Sequence, residues 1–383
     1  MFREFIKPIR IGVLAFATAC AAPAASAAEG VTEATILLGM SSPLSGPTGA
    51  YGRQMKEGIE ACFQKVNAAG GVHGRQLKLV AVDDGYEVEP AVANTKRLIE
   101  GDKVFALMGF YGTSPTAAVL PVLTAPGVPL IGTISGAEVL RQPVNPQMFH
   151  LRASYGDETA AIVKNLITVG AKRVAVFYQD DGFGQAGLKG VKDALAANKL
   201  EPVAVASGPR NSVDVAAAVA AIPKADARAG VLVTLHRPTA EFIKQLRRAK
   251  ANPFFVALSP VGTDQLVAEL GPDEARGIQV AQVIPYPWGD KLEIVREYKR
   301  AIAAYSLNAP LSYYGLEGYL NAKLVVAALE RAGPNPTRKG LMAALRSAPF
   351  DFGGYRVHYA AGSNSGSNYV EISVIGQNGR ILN

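Results

Sequence analysis

Three loops in this chain place hydroxyls and glycines where a strand gives way to a helix. The first is Ser41-Ser42-Pro43-Leu44-Ser45-Gly46-Pro47-Thr48-Gly49-Ala50-Tyr51-Gly52, the second Tyr111-Gly112-Thr113-Ser114-Pro115-Thr116, and the third Ser135-Gly136-Ala137-Glu138. The first turn of a helix leaves backbone N–H groups without partners, so such loops suit a small anionic or polar ligand. Ser114 followed by Pro115 reads as an N-cap and first-turn pair. Each loop alone would serve equally as an ordinary turn or cap. Three at one sheet edge point to a binding crevice at the carboxyl ends of the strands.

Other chemistries fare worse. Gly182-Phe183-Gly184-Gln185-Ala186-Gly187 matches G-x-G-x-x-G in form, but Asp180 and Asp181 would press negative charge on a pyrophosphate, and Glu201 precedes the following strand where a ribose-binding acid should end it. His73, His150, His236 and His358 lack metal-ligand spacing and have no cysteine cluster beside them, so neither a metal nor another cofactor is expected. No G-x-S-x-G elbow occurs. Tyrosines and Trp288 gather in loops at Tyr51, Tyr111, Tyr155, Tyr286, Tyr313 and Tyr314, where rings pack lobe edges or wall a ligand.

The elements that must hold these loops alternate. From Ile36 to Val82 the chain reads strand, loop, helix with Met55, Ile59, Cys62, Phe63 and Val66 on one face, a Gly70-Gly71 stop, and a second strand. A helical stretch near Ala91 to Ile99, a strand at Val104 to Gly109, a helix from Pro115 to Leu123 and a strand at Val128 to Ile131 follow. A second such series runs from a strand at Arg173 to Tyr178 through helices and strands to a strand at Ile278 to Val283. Strands alternating with helices predict an α/β protein with two similar lobes, each a parallel sheet covered on both faces. Two long helical patterns, Leu292 to Tyr305 and Tyr314 to Arg331, and a shorter one from Thr337 to Leu345 come without strands and are expected to return over the first lobe. The tail reads as strands at Tyr355 to Tyr359 and Tyr369 to Ile375, with an Asn378-Gly379 turn.

The whole chain sets the class. At 383 residues, with 49% hydrophobic and 19% charged residues, it suits two globular domains. Arg3, Lys7 and Arg10, an apolar run from Ile11 to Ala22 and Ala25-Ser26-Ala27 form a secretory leader over residues 1–27; a lipoprotein-type cut before Cys20 is the minor alternative. Its removal would lower the formal charge from +7 to +5, and the scattered basic residues do not suggest nucleic acid. Cys62 would then stand alone, on the apolar face of the first helix, as a core residue. No later apolar run reaches the roughly 18 residues a membrane span needs.

The ordered set Gly46 to Gly52, Gly58-Ile59-Glu60, Asn67 to Gly74, Asp83-Asp84, Gly109 to Thr116, Ala125 to Pro129, Arg152-Ala153-Ser154, Asp181 to Gly184 and Glu317 to Ala322 resembles the periplasmic substrate-binding proteins of branched-chain amino acid type ABC transporters. The resemblance implies the type I periplasmic binding protein fold, two Rossmann-like doubly wound lobes joined by three crossovers near residues 155, 284 and 353. Lobe 1 would hold residues 28–155 plus 284–352, and lobe 2 residues 156–283 plus 353–383. It also implies Tyr51 as aromatic wall, Thr113, Ser114, Ser135 and Gly136 as carboxylate-holding loops, Phe183 as the second lobe's wall, and His236 on a loop facing the cleft; Tyr111, among the loop tyrosines, is a further ligand-binding candidate. Where amino-acid binders of this family place a glutamate for the ligand's ammonium, this chain has Ser259 followed by Pro260. A buried ammonium without a carboxylate is costly, so a carboxylate ligand without an amine is expected unless Asp180, Asp181 or Glu138 substitutes. The implied protein is a monomeric periplasmic binder, not an enzyme, whose partners are a small carboxylate and a membrane permease. A sensor docking a signalling receptor and a secreted hydrolase are the alternatives.

Overall fold

A computed structural model of the chain describes Met1 and residues 28–383. The leader reading and Cys20 fall on residues 2–27, outside the described residues.

Ten strands of two main sheets alternate with helices. The first sheet comprises β1 (Thr35–Ser42), β2 (Gln76–Asp83), β3 (Ala106–Met108), β4 (Leu130–Ile131) and β5 (Met148–Phe149), all parallel in the order β2-β1-β3-β4-β5. Its helices are α1 (Gly49–Ala68), α2 (Val88–Lys96) and α3 (Thr113–Thr124). The chain then runs through α4 (Tyr155–Thr168), β6 (Val174–Asp180), α5 (Gly182–Ala197), β7 (Ala204–Pro209), α6 (Ala216–Ala221), β8 (Ala229–Val233), α7 (His236–Arg248), β9 (Phe254–Ala257), α8 (Thr263–Leu270), α9 (Pro272–Ala275) and β10 (Gln279–Gln282). After α10 (Glu293–Tyr305), α11 (Tyr313–Ala332) and α12 (Arg338–Ser347) come β11 (Phe350–Asp351), β12 (Arg356–Val357), β13 (Glu371–Ile375) and β14 (Ile381–Leu382). The second sheet has the order β14-β13-β10-β9-β8-β6-β7, with β13 and β14 antiparallel and the rest parallel.

This is the two-lobed doubly wound α/β fold. In each sheet the chain goes first to one side and then to the other, so the strand order reverses between β1 and β3 and again between β6 and β8. Loops part at such a reversal, which opens a crevice at the carboxyl ends of the strands.

Four local readings are corrected. Helix α4 and the short strand β5 were not expected; buried Glu158 and Thr159 break the apolar stripe of Tyr155, Ile162, Val163 and Leu166, which hides the helical period. Helix α3 begins at Thr113 with Gly112 as its cap, not Ser114. Gly112 has φ +88°, and a Cβ there would stand 2.4 Å from the Tyr86 ring, so the turn needs glycine one residue earlier than the serine suggests. The strand expected over Tyr355 to Tyr359 is only β12, which pairs with β11 in a separate ribbon. Beyond it the tail lies beside β5, where His150 and the segment at Asn364 and Gly366 exchange two backbone hydrogen bonds of 2.8 Å.

The late helices complete the first lobe. Helices α10 and α11 pack on α1. At their crossing a Cβ on Gly58 would lie 1.9 Å from the Gly315 carbonyl, and one on Gly318 would lie 2.2 Å from the Met55 carbonyl. Two helices approach this closely only where side chains are missing. Asn321 of α11 then donates to the Gly132 carbonyl at 3.1 Å, tying the helix to the loop after β4.

Candidate functional site

The loops at the two strand reversals face each other. On the first lobe Tyr51, in the first turn of α1, is fully buried and stacks on Tyr111 with ring centres 5.2 Å apart and planes within 10°. Tyr314 and Tyr86 close the cluster, at 5.0 Å from Tyr51 and 5.3 Å from Tyr111. Thr113 at the start of α3 shares a 2.8 Å hydrogen bond with the Ser135 hydroxyl. Among the described residues the backbone N–H groups of Thr113, Ser114 and Gly136 have no acceptor. These are the open ends that the loop chemistry predicts. The Gly136 carbonyl accepts from the Tyr155 N–H at 2.7 Å, and burial pushes the Tyr155 phenol up to about 12 against the pull of Arg152 and the hydroxyls of Ser135 and Thr113.

On the second lobe Asp181 caps α5, accepting from the N–H groups of Phe183 at 2.9 Å and Gly184 at 3.1 Å. That cap sets Phe183 against Tyr155, ring centres 5.4 Å apart. His236 opens α7 and meets Tyr51 edge-on. The Tyr51 phenol has one proton and donates it to the Val261 carbonyl at 3.0 Å. Its oxygen also accepts from the His236 backbone N–H at 3.4 Å and shares a hydrogen bond with Nδ1 of the same residue. Burial, with Arg237 adding, lowers the His236 pKa to about 4, so the ring is neutral near pH 7. His236 also lines an open cleft of about 270 Å³ with Thr48, Glu87, Gln179, Asn211 and Leu235.

Ser259 is not an empty place. Its N–H and hydroxyl donate to the two oxygens of Glu158, at 2.8 and 2.9 Å. Beside them Arg152 forms a bidentate pair with Glu317 at 3.0 and 3.2 Å, with both side chains buried. Burial pushes Glu158 up to about 7, opposed by Arg152 and by the Ser259 donors. Burial works against the Arg152 charge too, yet Glu317 and Glu158 hold its pKa above the usual value. Of the other acids that might have met an amine, Asp180 and Glu138 are exposed, and Asp181 is engaged in its cap.

Across the cleft mouth Arg210 follows β7 and reaches the first lobe. Its Nη2 donates to the Tyr86 carbonyl and lies 3.2 Å from Glu87, while its guanidinium sits 4.6 Å from the Tyr86 ring centre. Asn211 adds a 2.5 Å hydrogen bond to Glu87. Ser114 accepts from the Gly182 N–H at 3.2 Å, so it bridges the lobes instead of capping α3.

The structure thus gathers Tyr51, Tyr111, Thr113, Ser135 and Gly136 on one wall, sets Phe183 and His236 opposite, and places Ser114 between the lobes and Ser259 on Glu158. Sequence reasoning missed Tyr86, Glu158 and Arg210 as neighbours of the site. Only Glu158 left a signal, since Ser154 and Asp157 form a capping box that announces α4. Among the described residues no cluster of His, Cys, Asp and Glu is placed to hold a metal ion.

Comparison with known proteins agrees with the fold. The chain matches the periplasmic binding protein family model over residues 35–373. A substrate-binding periplasmic protein from Ralstonia solanacearum superposes with a TM-score of 0.86 at 34% identity, covering 91% of this chain and 99% of that one. A possible leucine/isoleucine/valine-binding protein from Rhodopirellula baltica gives 0.86 at 32% identity, over 92% and 97%. An amino acid binding protein of Pseudomonas aeruginosa is 26% identical over 80% of this chain and 81% of its own. With a family match along nearly all its described length and the paired strand reversals that such a fold requires, the chain belongs to the periplasmic binding protein family.

Proposed function

We propose that this protein is the extracytoplasmic solute-binding component of an ABC importer, and that it captures a small carboxylate-bearing metabolite between its lobes for delivery to a membrane permease. The observation that carries this reading is the set of partnerless N–H groups at Thr113, Ser114 and Gly136, beside the Thr113 and Ser135 hydroxyls. Those groups hold the carboxylate, while Tyr51, Tyr111 and Phe183 exclude water and select shape. Lobes of residues 28–155 plus 284–352 and 156–283 plus 353–383 turn about the connecting segments. Ligand contacts to both favour the closed arrangement, which the permease recognises. The names of the Pseudomonas and Rhodopirellula relatives favour amino acids as ligands. The engagement of Glu158 by Ser259 and Arg152, and of Asp181 by its helix, favours an acid without an amine, since an ammonium would find neither of these two carboxyls free.

A thermal-shift screen against α-amino acids, aromatic acids and aliphatic keto acids tests this. A ligand at 100 times its dissociation constant should add about 2.7 kcal/mol of stability. An acid without an amine is expected to give the largest shift. Stabilisation by leucine-like compounds alone would overturn the amine-free reading, and turnover of any compound would overturn the assignment as a binder.

A further inference from the structure

Arg141 is a buried cation without a buried anion. Its side chain is 2% exposed, and among the described residues it forms no ion pair. Its Nη2 lies 3.4 Å from the Ser135 carbonyl, 3.1 Å from that of Arg152 and 3.2 Å from that of Ala153; Nη1 donates to Ser365 at 2.7 Å, and Nε has no partner. Around it, Glu138 is exposed, Asp157 is held in the cap of α4, and Arg152 is already matched by Glu317. An isolated buried charge is expensive, and four oxygen dipoles meet it only in part.

The place of Arg141 gives that charge a use. The Ser135–Gly136 peptide is trans, so its C=O and N–H point in opposite directions. Because the carbonyl faces Arg141, the Gly136 N–H points away from the guanidinium and is one of the three partnerless donors of the site. Arg141 polarises that peptide and adds long-range positive potential behind it, which a carboxylate would feel and a neutral amide would not.

We propose that Arg141 supplies the counter-charge for the ligand's carboxylate, acting through the Ser135–Gly136 peptide as a positioning residue that makes the site select acids over their neutral isosteres. This rests on the proposed carboxylate site. Arg152, although nearer the centre of the charge cluster, does not fit this role because Glu317 neutralises it.

The test is calorimetric titration of the full mature chain with phenylacetate, 4-methyl-2-oxopentanoate and leucine, each beside its primary amide. The wild type is expected to prefer at least one acid over its amide by about a hundredfold or more. Arg141→Met should lose roughly tenfold to a hundredfold in affinity for the acid and change by less than about threefold for the amide. Arg141→Lys keeps the charge and should retain most of the acid preference. Equal losses for acid and amide in Arg141→Met, or no loss, would overturn the proposal. If that variant does not fold, Arg141→Lys decides alone: losing acid and amide binding together would sink it, and keeping the acid preference would support it. A wild type that binds none of the acids overturns the carboxylate reading itself, and this proposal with it.

Discussion

Ser259 and Glu158 stand 101 residues apart in the chain and share two hydrogen bonds in a buried setting. The sequence shows the serine and hides the carboxyl, because nothing local says which residue of another helix will face it. Reading the Ser154–Asp157 capping box would have revealed α4 and set Glu158 on the buried face with Tyr155 and Ile162. Thr113, Ser135 and Gly136 were legible for the opposite reason, since their chemistry is that of a strand end and a helix start and needs no distant partner. Glu158 also makes a testable contribution to stability. Its carboxyl titrates near 7 when folded and near 4.5 when unfolded, so the folded protein holds a proton that the unfolded chain has released. Stability from this group is therefore full below pH 4.5 and declines as pH rises toward 7, by a few kcal/mol at most. In Glu158→Gln that part of the slope should vanish. Urea denaturation at several pH values, taken as the difference between variant and wild type, removes the opposing contribution of His236, whose folded pKa is near 4. An unchanged slope in the variant would mean that the Glu158 carboxyl titrates alike in the folded and the unfolded chain.

At the scale of elements, the unit β1–α1–β2 follows from its pattern almost residue for residue, because one apolar face, a glycine stop and two strands all agree. Helix α11 shows what pattern cannot give. It is buried nearly all round, and its partner is fixed by Gly58, Gly315 and Gly318, whose absent side chains let two backbones meet. Composition shows the glycines, but only the packing shows that they face one another. Gly58→Ala would force a methyl to within 1.9 Å of a carbonyl oxygen that cannot move without shifting α11. A loss of about 3 kcal/mol or more is expected, read as a lower urea midpoint. A change below about 1 kcal/mol would show that the helices can slide apart cheaply.

For the molecule as a whole, the two lobes were readable as separate alternations of strand and helix, whereas the contacts between them were not. Arg210 and Glu87 lie 123 residues apart, on loops with no shared pattern. Glu87 is half exposed, so the ion pair itself adds little, and the carbonyl bond and the Tyr86 ring carry most of the effect, together about 1–2 kcal/mol. Arg210→Ala should enlarge the unliganded particle in small-angle scattering, leave the saturated one unchanged and weaken ligand binding by roughly fivefold to tenfold. Identical scattering and affinity would show that the clasp does not bias closure. The crossing of α1 with α11 has a different consequence, one that concerns time. The stripe of Met55, Ile59, Cys62 and Phe63 is made early, yet the helix that covers it ends at Ala332. A chain emerging from its amino end must carry that bare stripe until the last sixth of its length arrives, while the second lobe's β6-to-β10 run is already in hand. The first lobe thereby waits on residues from far along the chain, and any holdase escorting the nascent polypeptide would find its foothold on that stripe.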